Sequence, residues 1–270
     1  MALDKTVLKT RSLTALFFGL TVVGLLLAGN FTTSLLLLAV AVWTTHEFLS
    51  IVAQGRNSTY LAGFVIFIAS ATTAIFFKEE ILTFDLTPLL FSLVYLVFIA
   101  NVFFNFINYR FHFWWIVIFY PGLGCIMYML QLDDLSVINA GFMLWLIWMI
   151  WICDSFQYLF GARFGKRKLL ESVSPKKSWE GFIGGGAVVL CFSFIPGRYA
   201  DFGSYGFWCI IALVVWIIGT LGDLFESSVK RQFGVKDSGS FLPGHGGMLD
   251  RFDSFVFIIP FVLLTIYYMA

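Results

Sequence analysis

Long runs of apolar residues, separated by short polar breaks, fill this chain from Ser12 to its C-terminus. A transmembrane helix needs about 20 mainly apolar residues, and the runs are long enough to predict nine spans. We therefore expect an all-α, polytopic integral membrane protein. The predicted spans are 12–29, 31–53, 60–77, 87–108, 113–131, 137–160, 179–197, 206–229 and 249–269.

The positively charged residues predict how these spans are oriented. Nearly all Lys and Arg fall on the same side as the N-terminus, whereas Lys78 and Arg198 fall on the other. Cytoplasmic loops carry the excess of Lys and Arg in membrane proteins. The distribution therefore predicts a cytoplasmic N-terminus and two basic cytoplasmic loops, after the sixth and eighth spans. We expect about five spans within residues 1–136 and a region with both loops within residues 137–270.

Composition narrows the function classes. Sixty per cent of the residues are hydrophobic, 12% are charged and the net charge is +1, so neither a soluble domain nor a nucleic-acid partner is indicated. The sequence contains no GxSxG, Walker A, HExxH or CxxC pattern. It therefore gives no indication of a Ser or Cys nucleophile, a P-loop or a zinc site.

Ionisable residues concentrate near the ends of the eighth and ninth spans. Asp223, Glu226 and Lys230 recur at helical spacing and share one face, while Asp250 and Asp253 form a second such pair. Charged groups in membrane helices face a protein interior or a wet cavity. Two converging carboxylate faces are typical of sites that hold Mg²⁺ with substrate phosphates. The alternative is that Asp223 and Asp250 only form ion pairs with Lys230 and Arg251.

A glycine-rich segment, residues 239–247, joins these two spans. Glycine lets backbone N–H groups approach an anion closely, and the N-terminus of the following helix favours phosphate. His245 can donate to a phosphate oxygen or carry a proton near neutral pH. Taken alone, the same residues also suit an ordinary turn.

The loop after the sixth span has a matching character. Asp154 lies near the end of that span, and the segment SPKKSWEG (174–181) leads into the next. Ser178 is placed to cap that helix, with Lys176 and Lys177 just before it. The basic run 166–168 suits anionic lipid headgroups as well as it suits substrate. His46 and Glu47, inside the second span, have two interpretations: they contribute to a site, or they form a local interfacial pair, which we favour.

These motifs resemble those of the phosphatidate cytidylyltransferases, also called CDP-diacylglycerol synthases. The resemblance covers about a third of the chain, and the first five spans match only in hydrophobicity. Gln157, where a small residue is usual, and Ser178, where Thr is usual, depart from the pattern. The matching positions are Asp154, Tyr158, Gly161 and Gly165, the segment SPKKSWEG, then Ser227, Lys230, Arg231, Lys236, Asp237, Gly239, Leu242, Pro243, His245, Gly246, Gly247, Asp250, Arg251 and Asp253.

The resemblance implies that CTP and phosphatidic acid react to give CDP-diacylglycerol and pyrophosphate, by attack of the lipid phosphate on the α-phosphorus of CTP. It implies Mg²⁺, with a second metal or a monovalent cation left open, and it suggests a homodimer among membrane lipids. The 137–270 region would then be the catalytic one. We expect its active site to face the cytoplasm, in the cell inner (plasma) membrane.

The resemblance also implies roles for individual residues. The metal ligands would be Asp223 and Asp250 first, then Asp253 and Asp154. Asp223 and Asp250 would be catalytic together with Lys230, Arg231 and His245, which bind the triphosphate or the leaving pyrophosphate. The substrate-binding residues would be Lys176, Lys177, Ser178, Ser227, Lys236, Asp237, Gly246, Gly247 and Arg251.

Two other functions compete with this one. A CTP-dependent lipid kinase of the polyprenol type would transfer a terminal phosphoryl group to a lipid alcohol and release CDP. A transporter of an anionic solute would also place charge within membrane helices, but inverted repeats and discontinuous central helices are typical of that class. No internal repeat is visible in this sequence, and its charge clusters at span ends.

Overall fold

The computed structural model describes residues 5–76, 140–242, 244 and 246–269, and these residues are mainly helical. The predicted spans 87–108 and 113–131 lie outside the described residues, as does the predicted division after residue 136. The elements are α1 (Lys5–Leu27), α2 (Asn30–Ala53), α3 (Asn57–Phe76), α4 (Ala140–Phe164), β1 (Lys168–Leu170), β2 (Ser174–Ser178), α5 (Trp179–Phe192), α6 (Phe194–Tyr199), α7 (Tyr205–Val214), a π-helical segment (Val215–Gly219), α8 (Thr220–Gln232) and α9 (Leu249–Met269).

Five helical stretches of the described residues are long and apolar enough to cross a membrane. Two of them are composite: α5 with α6, and α7 with the π-helical segment and α8. Each predicted span that falls on described residues overlaps one of the helices, so the hydropathy pattern located the helices well. The membrane-length stretches are Asn30–Ala53, Ala140–Phe164, Trp179–Tyr199, Tyr205–Gln232 and Leu249–Met269.

The expectation of an all-α chain is wrong in one place. After α4, strands β1 and β2 form an antiparallel hairpin in which Lys168 lies opposite Ser178. Pro175 lacks a backbone N–H and disfavours helical conformation in the residue before it, so the segment Ser174–Ser178 is extended rather than helical. The hairpin delivers Lys177 and Ser178 to the start of α5.

Glycines allow α4 and α5 to pack at short range. A Cβ on Gly181 would lie 2.5 Å from the carbonyl oxygen of Gln157, and a Cβ on Gly185 would lie 2.8 Å from that of Cys153. Small residues serve this purpose between membrane helices, where close van der Waals packing replaces the hydrophobic driving force. The contact fixes the start of α5, and with it the hairpin, beside α4.

Helix α9 is buried along most of its length and packs against helices within residues 5–76 as well as helices that follow residue 139. Val22 on α1 and Val40 on α2 belong to the same buried apolar cluster as Val256 and Ile259 on α9. Gly222 on α8 leaves no room for a Cβ against the Phe257 ring. This close approach of α8 and α9 brings their charged faces together.

Candidate active site

One cavity of about 730 Å³ lies where α1, α4, the hairpin, α8 and α9 meet. Its walls differ in chemistry. Helix α1 contributes apolar and small residues, whereas the hairpin, α8 and α9 contribute most of the charged ones. The apolar lining residues and the glycine are Ala15, Phe18, Gly19, Trp151, Phe182 and Leu242, and the charged ones are Asp154, Lys176, Lys177, Asp223, Lys230, Asp237, Asp250, Arg251 and Asp253.

Three carboxylates form an acidic cluster, and two of them, Asp223 and Asp253, line this cavity. Asp223 and Glu226 come from α8 and Asp253 from α9, with carboxylate oxygens of all three within 4.8 Å of one another. They meet because Asp223 and Glu226 share one face of α8, as the spacing predicts. Ser227, one turn after Asp223, donates to its Oδ1 at 3.3 Å.

The acidic cluster fits a divalent metal. Glu226 is 4% exposed, and within the described residues its Oε1 has no hydrogen-bond partner. A buried carboxylate oxygen without a partner is costly unless a cation satisfies it. Carboxylates from two helices also supply the hard oxygen ligands that Mg²⁺ and Ca²⁺ prefer. The cluster can therefore hold a divalent cation.

Lys177 reaches the acidic cluster from the hairpin. Its Nζ lies 2.6 Å from Oδ2 of Asp223. Burial lowers the pKa of Lys177, but the negative charge of Asp223 and its hydrogen bond more than offset this, so the pKa lies above its ordinary value. The ammonium group therefore stays cationic throughout the physiological pH range, which suits it to contact phosphate oxygens.

Lys230 links the two charged helices. Its Nζ lies 2.5 Å from Oε2 of Glu226 and 2.5 Å from Oδ1 of Asp250. The other oxygen of Asp250, Oδ2, accepts from the backbone N–H groups of Ser238 at 2.9 Å and Gly247 at 2.7 Å. Asp250 thus fixes the loop before α9. Its role as a metal ligand stays a prediction.

The glycine-rich loop folds back on itself beside Asp250. The N–H of Leu242 donates to the carbonyl oxygen of Gly246 at 2.9 Å. Gly246 has a φ of 83°, and a Cβ there would lie against Oδ2 of Asp250, so the position requires glycine. His245, which is expected in the site, and Pro243, which is only a matching position of the resemblance, lie outside the described residues.

The other predicted residues divide into two groups. Asp154 lines the cavity one turn before Tyr158, and Lys176, Ser178, Asp237 and Arg251 line it too. Arg231 is exposed, and it donates to the carbonyl oxygen of Val235 at 3.1 Å, beyond the end of α8. Lys236 is also exposed. Neither cation is among the described residues that line the cavity.

Two polar residues gain importance that the sequence patterns did not give them. Gln157 on α4 lines the cavity and donates through Nε2 to the Thr220 hydroxyl at 2.8 Å, where the π-helical segment ends. The favoured interpretation of His46 and Glu47 as a local pair is wrong. His46 Nδ1 lies 2.7 Å from the Tyr60 hydroxyl, while Glu47 is buried against the loop before α9. The sequence feature that indicated a special role for Glu47 was a carboxylate inside an apolar span.

Ser178 caps α5, as the sequence predicts, and this makes a testable contribution to stability. Its Oγ accepts from the N–H of Gly181 at 3.1 Å, and the side chain is buried. We expect Ser178→Ala to lower the free energy of unfolding by about 1 kcal/mol, the usual cost of losing such a cap. Thermal unfolding in detergent measures this. Ser178→Thr keeps the hydroxyl and is the matched control; equal losses in both variants would contradict the capping role.

Comparison with known proteins shows which family this chain belongs to. The model of the cytidylyltransferase family matches residues 9–269, which is nearly the whole chain. This chain belongs to the cytidylyltransferase family. The membrane-length helices and the matches to bacterial members of this family identify it as an integral membrane protein.

Curated relatives in this family carry a more specific name. The phosphatidate cytidylyltransferase of Staphylococcus haemolyticus (strain JCSC1435) is 41% identical over 153 residues, which is 56% of each chain. Those of Bacillus subtilis (strain 168) and Staphylococcus aureus (strain COL) are each 42% identical, over 144 and 146 residues. The matches span 53% of the Bacillus chain and of this one, and 53% of the Staphylococcus aureus chain and 52% of this one. The chain therefore matches about half the length of these relatives.

Proposed function

We propose that this protein transfers the cytidylyl group of CTP to phosphatidic acid and releases pyrophosphate, giving CDP-diacylglycerol. The observation that carries the proposal is one cavity lined by Asp223 and Asp253 of the acidic cluster, by several cations and by apolar residues. A nucleoside triphosphate needs the carboxylates, through a bound metal, and the cations, and a lipid substrate needs the apolar wall. The names of the curated relatives point to the same reaction.

The cations of the cavity suit a reaction between two anions. CTP and phosphatidic acid repel each other, so a catalyst must place positive charge between and around their phosphates. Lys176, Lys177, Lys230 and Arg251 all line the cavity. The apolar α1 wall, with Ala15 and Phe18, lies next to this charge and would accept the part of the lipid that adjoins its phosphate.

The chemical step needs no nucleophile from the protein. An oxygen of the lipid phosphate forms a bond to the α-phosphorus of CTP, and the bond between that phosphorus and the bridging oxygen to the β-phosphate breaks, with its electron pair leaving on pyrophosphate. Catalysis then rests on holding the reacting groups in line and on stabilising charge. Lys177 and Lys230 are fixed by their carboxylate partners, so they present ammonium groups in set positions.

The acidic cluster supplies the metal part of the proposal. Asp223, Glu226 and Asp253 would hold Mg²⁺, with Asp154 and Asp250 nearby in the same cavity. A bound divalent cation would neutralise charge on the phosphates and polarise the reacting phosphorus. A second metal or a monovalent cation is compatible with this number of carboxylates.

The proposal also includes a topology and a location. The Lys and Arg distribution supports nine spans with a cytoplasmic N-terminus, of which about five lie in residues 1–136 and the catalytic ones in residues 137–270. A cytoplasmic active site in the plasma membrane would give CTP direct access. A homodimer rests only on the resemblance to the phosphatidate cytidylyltransferases.

The test uses purified protein in detergent with phosphatidic acid, base-labelled CTP and Mg²⁺. Label in the lipid phase that requires both phosphatidic acid and Mg²⁺, with release of pyrophosphate, is the expected result. CDP formation that requires polyprenol or another lipid alcohol, without lipid label, would favour the kinase instead. Neither signal in folded protein would favour the transporter.

A further inference from the structure

Glu47, on α2, makes contacts that neither the predicted motifs nor the acidic cluster explain. Its side chain is only 4% exposed, although it lies within an apolar membrane-length helix. A buried carboxylate in such a helix is expensive and marks a function. Its partners come from a part of the chain about 200 residues away.

Both carboxylate oxygens of Glu47 bind the segment that precedes and begins α9. Oε2 accepts from the Ser238 hydroxyl at 2.6 Å and from the N–H of Leu249 at 2.8 Å, and Oε1 accepts from the N–H of Met248 at 2.9 Å. The first N–H groups of a helix have no partner within the helix, and a negative charge there is stabilised by the helix dipole. Glu47 therefore caps α9 from another helix.

The loop is shaped around this carboxylate. A Cβ on Gly239 would lie 2.7 Å from Oε1 of Glu47, and a Cβ on Gly247 would lie against Oε2. Two glycines of the glycine-rich loop thus leave space for the glutamate. Part of what reads in sequence as a phosphate-binding loop is used to hold a buried side chain.

Ser238 connects Glu47 to the charged site. Its hydroxyl donates to Glu47 while its backbone N–H donates to Oδ2 of Asp250 at 2.9 Å. Asp250 in turn contacts Lys230, which contacts Glu226 of the acidic cluster. The chain of contacts from α2 to the cluster is continuous, and each link is a hydrogen bond or an ion pair.

We propose that Glu47 is a positioning residue of the site, whose carboxylate holds the start of α9 and the preceding loop so that Asp250 and Asp253 face α8. The inference rests on the proposed function for its importance to catalysis. The claim that Glu47 holds the loop and the start of α9 in place does not depend on which reaction the protein catalyses. Glutamine cannot replace Glu47, because one acceptor oxygen would become an N–H₂ donor directed at donors.

The experiment compares wild-type protein with Glu47→Gln, without CTP or lipid, by two measurements. Hydrogen–deuterium exchange should become faster in residues 238–242 and 246–249 of the variant but not in α5 or α7. Mn²⁺ binding, followed by electron paramagnetic resonance, should weaken by less than the roughly 10- to 100-fold that loss of a direct partner of a metal ligand costs, because Glu47 acts through Ser238 and Asp250. A general loss of stability would instead raise exchange throughout the chain, and that result would contradict a positioning role.

His46→Gln on the same helix is the matched control, because His46 is exposed and contacts Tyr60. It should change neither measurement. If Glu47→Gln does not fold, Ser238→Ala removes one donor to Glu47 and should produce smaller changes in the same direction. Unchanged exchange and Mn²⁺ affinity in the folded variant would overturn the inference. Failure of the cytidylyl-transfer assay would leave both measurements intact, so the two proposals fail separately.

Discussion

Replacing Asp223 by Asn should lower kcat at least about 100-fold while the protein still inserts and folds. Even groups that only support metal ligands contribute about 10- to 100-fold to affinity or activity, and Asp223 itself lies in the acidic cluster. The amide keeps the shape of the side chain but loses the charge that pairs with Lys177. Initial rates of CTP-dependent lipid labelling, measured at saturating substrate, give kcat for the variant and the wild-type protein.

The control for this variant is Asp201→Asn. Asp201 is exposed in the loop after α6 and is not among the described residues that line the cavity. It should keep kcat within about twofold, since surface substitutions away from functional contacts have small effects. Gel filtration in detergent and circular dichroism establish that both variants fold. An Asp223→Asn enzyme that keeps more than a tenth of wild-type kcat would remove Asp223 from the metal site.

Replacing Lys230 by Met should have the largest effect on stability. Lys230 is 7% exposed and its ammonium group contacts two carboxylates, Glu226 and Asp250. Removing one partner of a buried ion pair costs about 3–5 kcal/mol, because the remaining charge is buried without compensation. We expect a loss of that size in the free energy of unfolding, measured by denaturant titration in detergent, together with loss of activity.

Two further variants make the Lys230 prediction specific. Lys166→Met changes an exposed lysine and should alter stability by no more than about 0.5 kcal/mol. Adding Glu226→Gln to Lys230→Met should restore part of the loss, because it removes one uncompensated charge. The double-mutant cycle should give a coupling of about 0.5–3 kcal/mol. A Lys230→Met protein as stable as the Lys166→Met control would show that the ion pairs of Lys230 with Glu226 and Asp250 do not stabilise the fold.

Local patterns in the sequence were enough to locate helices and the residues that share a helix face. Apolar runs marked α2, α4 and α9, and the spacing of Asp223 with Glu226 placed both on one side of α8. Ser178 was recognisable as a cap because the signal lies within a few residues. Each of these features depends on neighbours in sequence, which a pattern records directly.

Contacts between distant segments were not predictable in this way. Nothing near Glu47 in sequence indicates that it binds Ser238. Likewise, nothing near Lys177 indicates that Lys177, and not Lys230, forms the ion pair with Asp223. Such pairs depend on how helices pack, which here is set by glycines such as Gly222. The hairpin was also missed, because its strands are too short for an alternating pattern.

The most direct test of the account follows the phosphates of CTP through the reaction. Purified protein is supplied with phosphatidic acid and Mg²⁺, and with CTP labelled in parallel reactions at the α- or the γ-phosphorus. Cytidylyl transfer predicts that the α label enters the lipid phase and the γ label appears in pyrophosphate. The γ label in the lipid phase, or no transfer of the α label by folded protein, would contradict the proposed reaction.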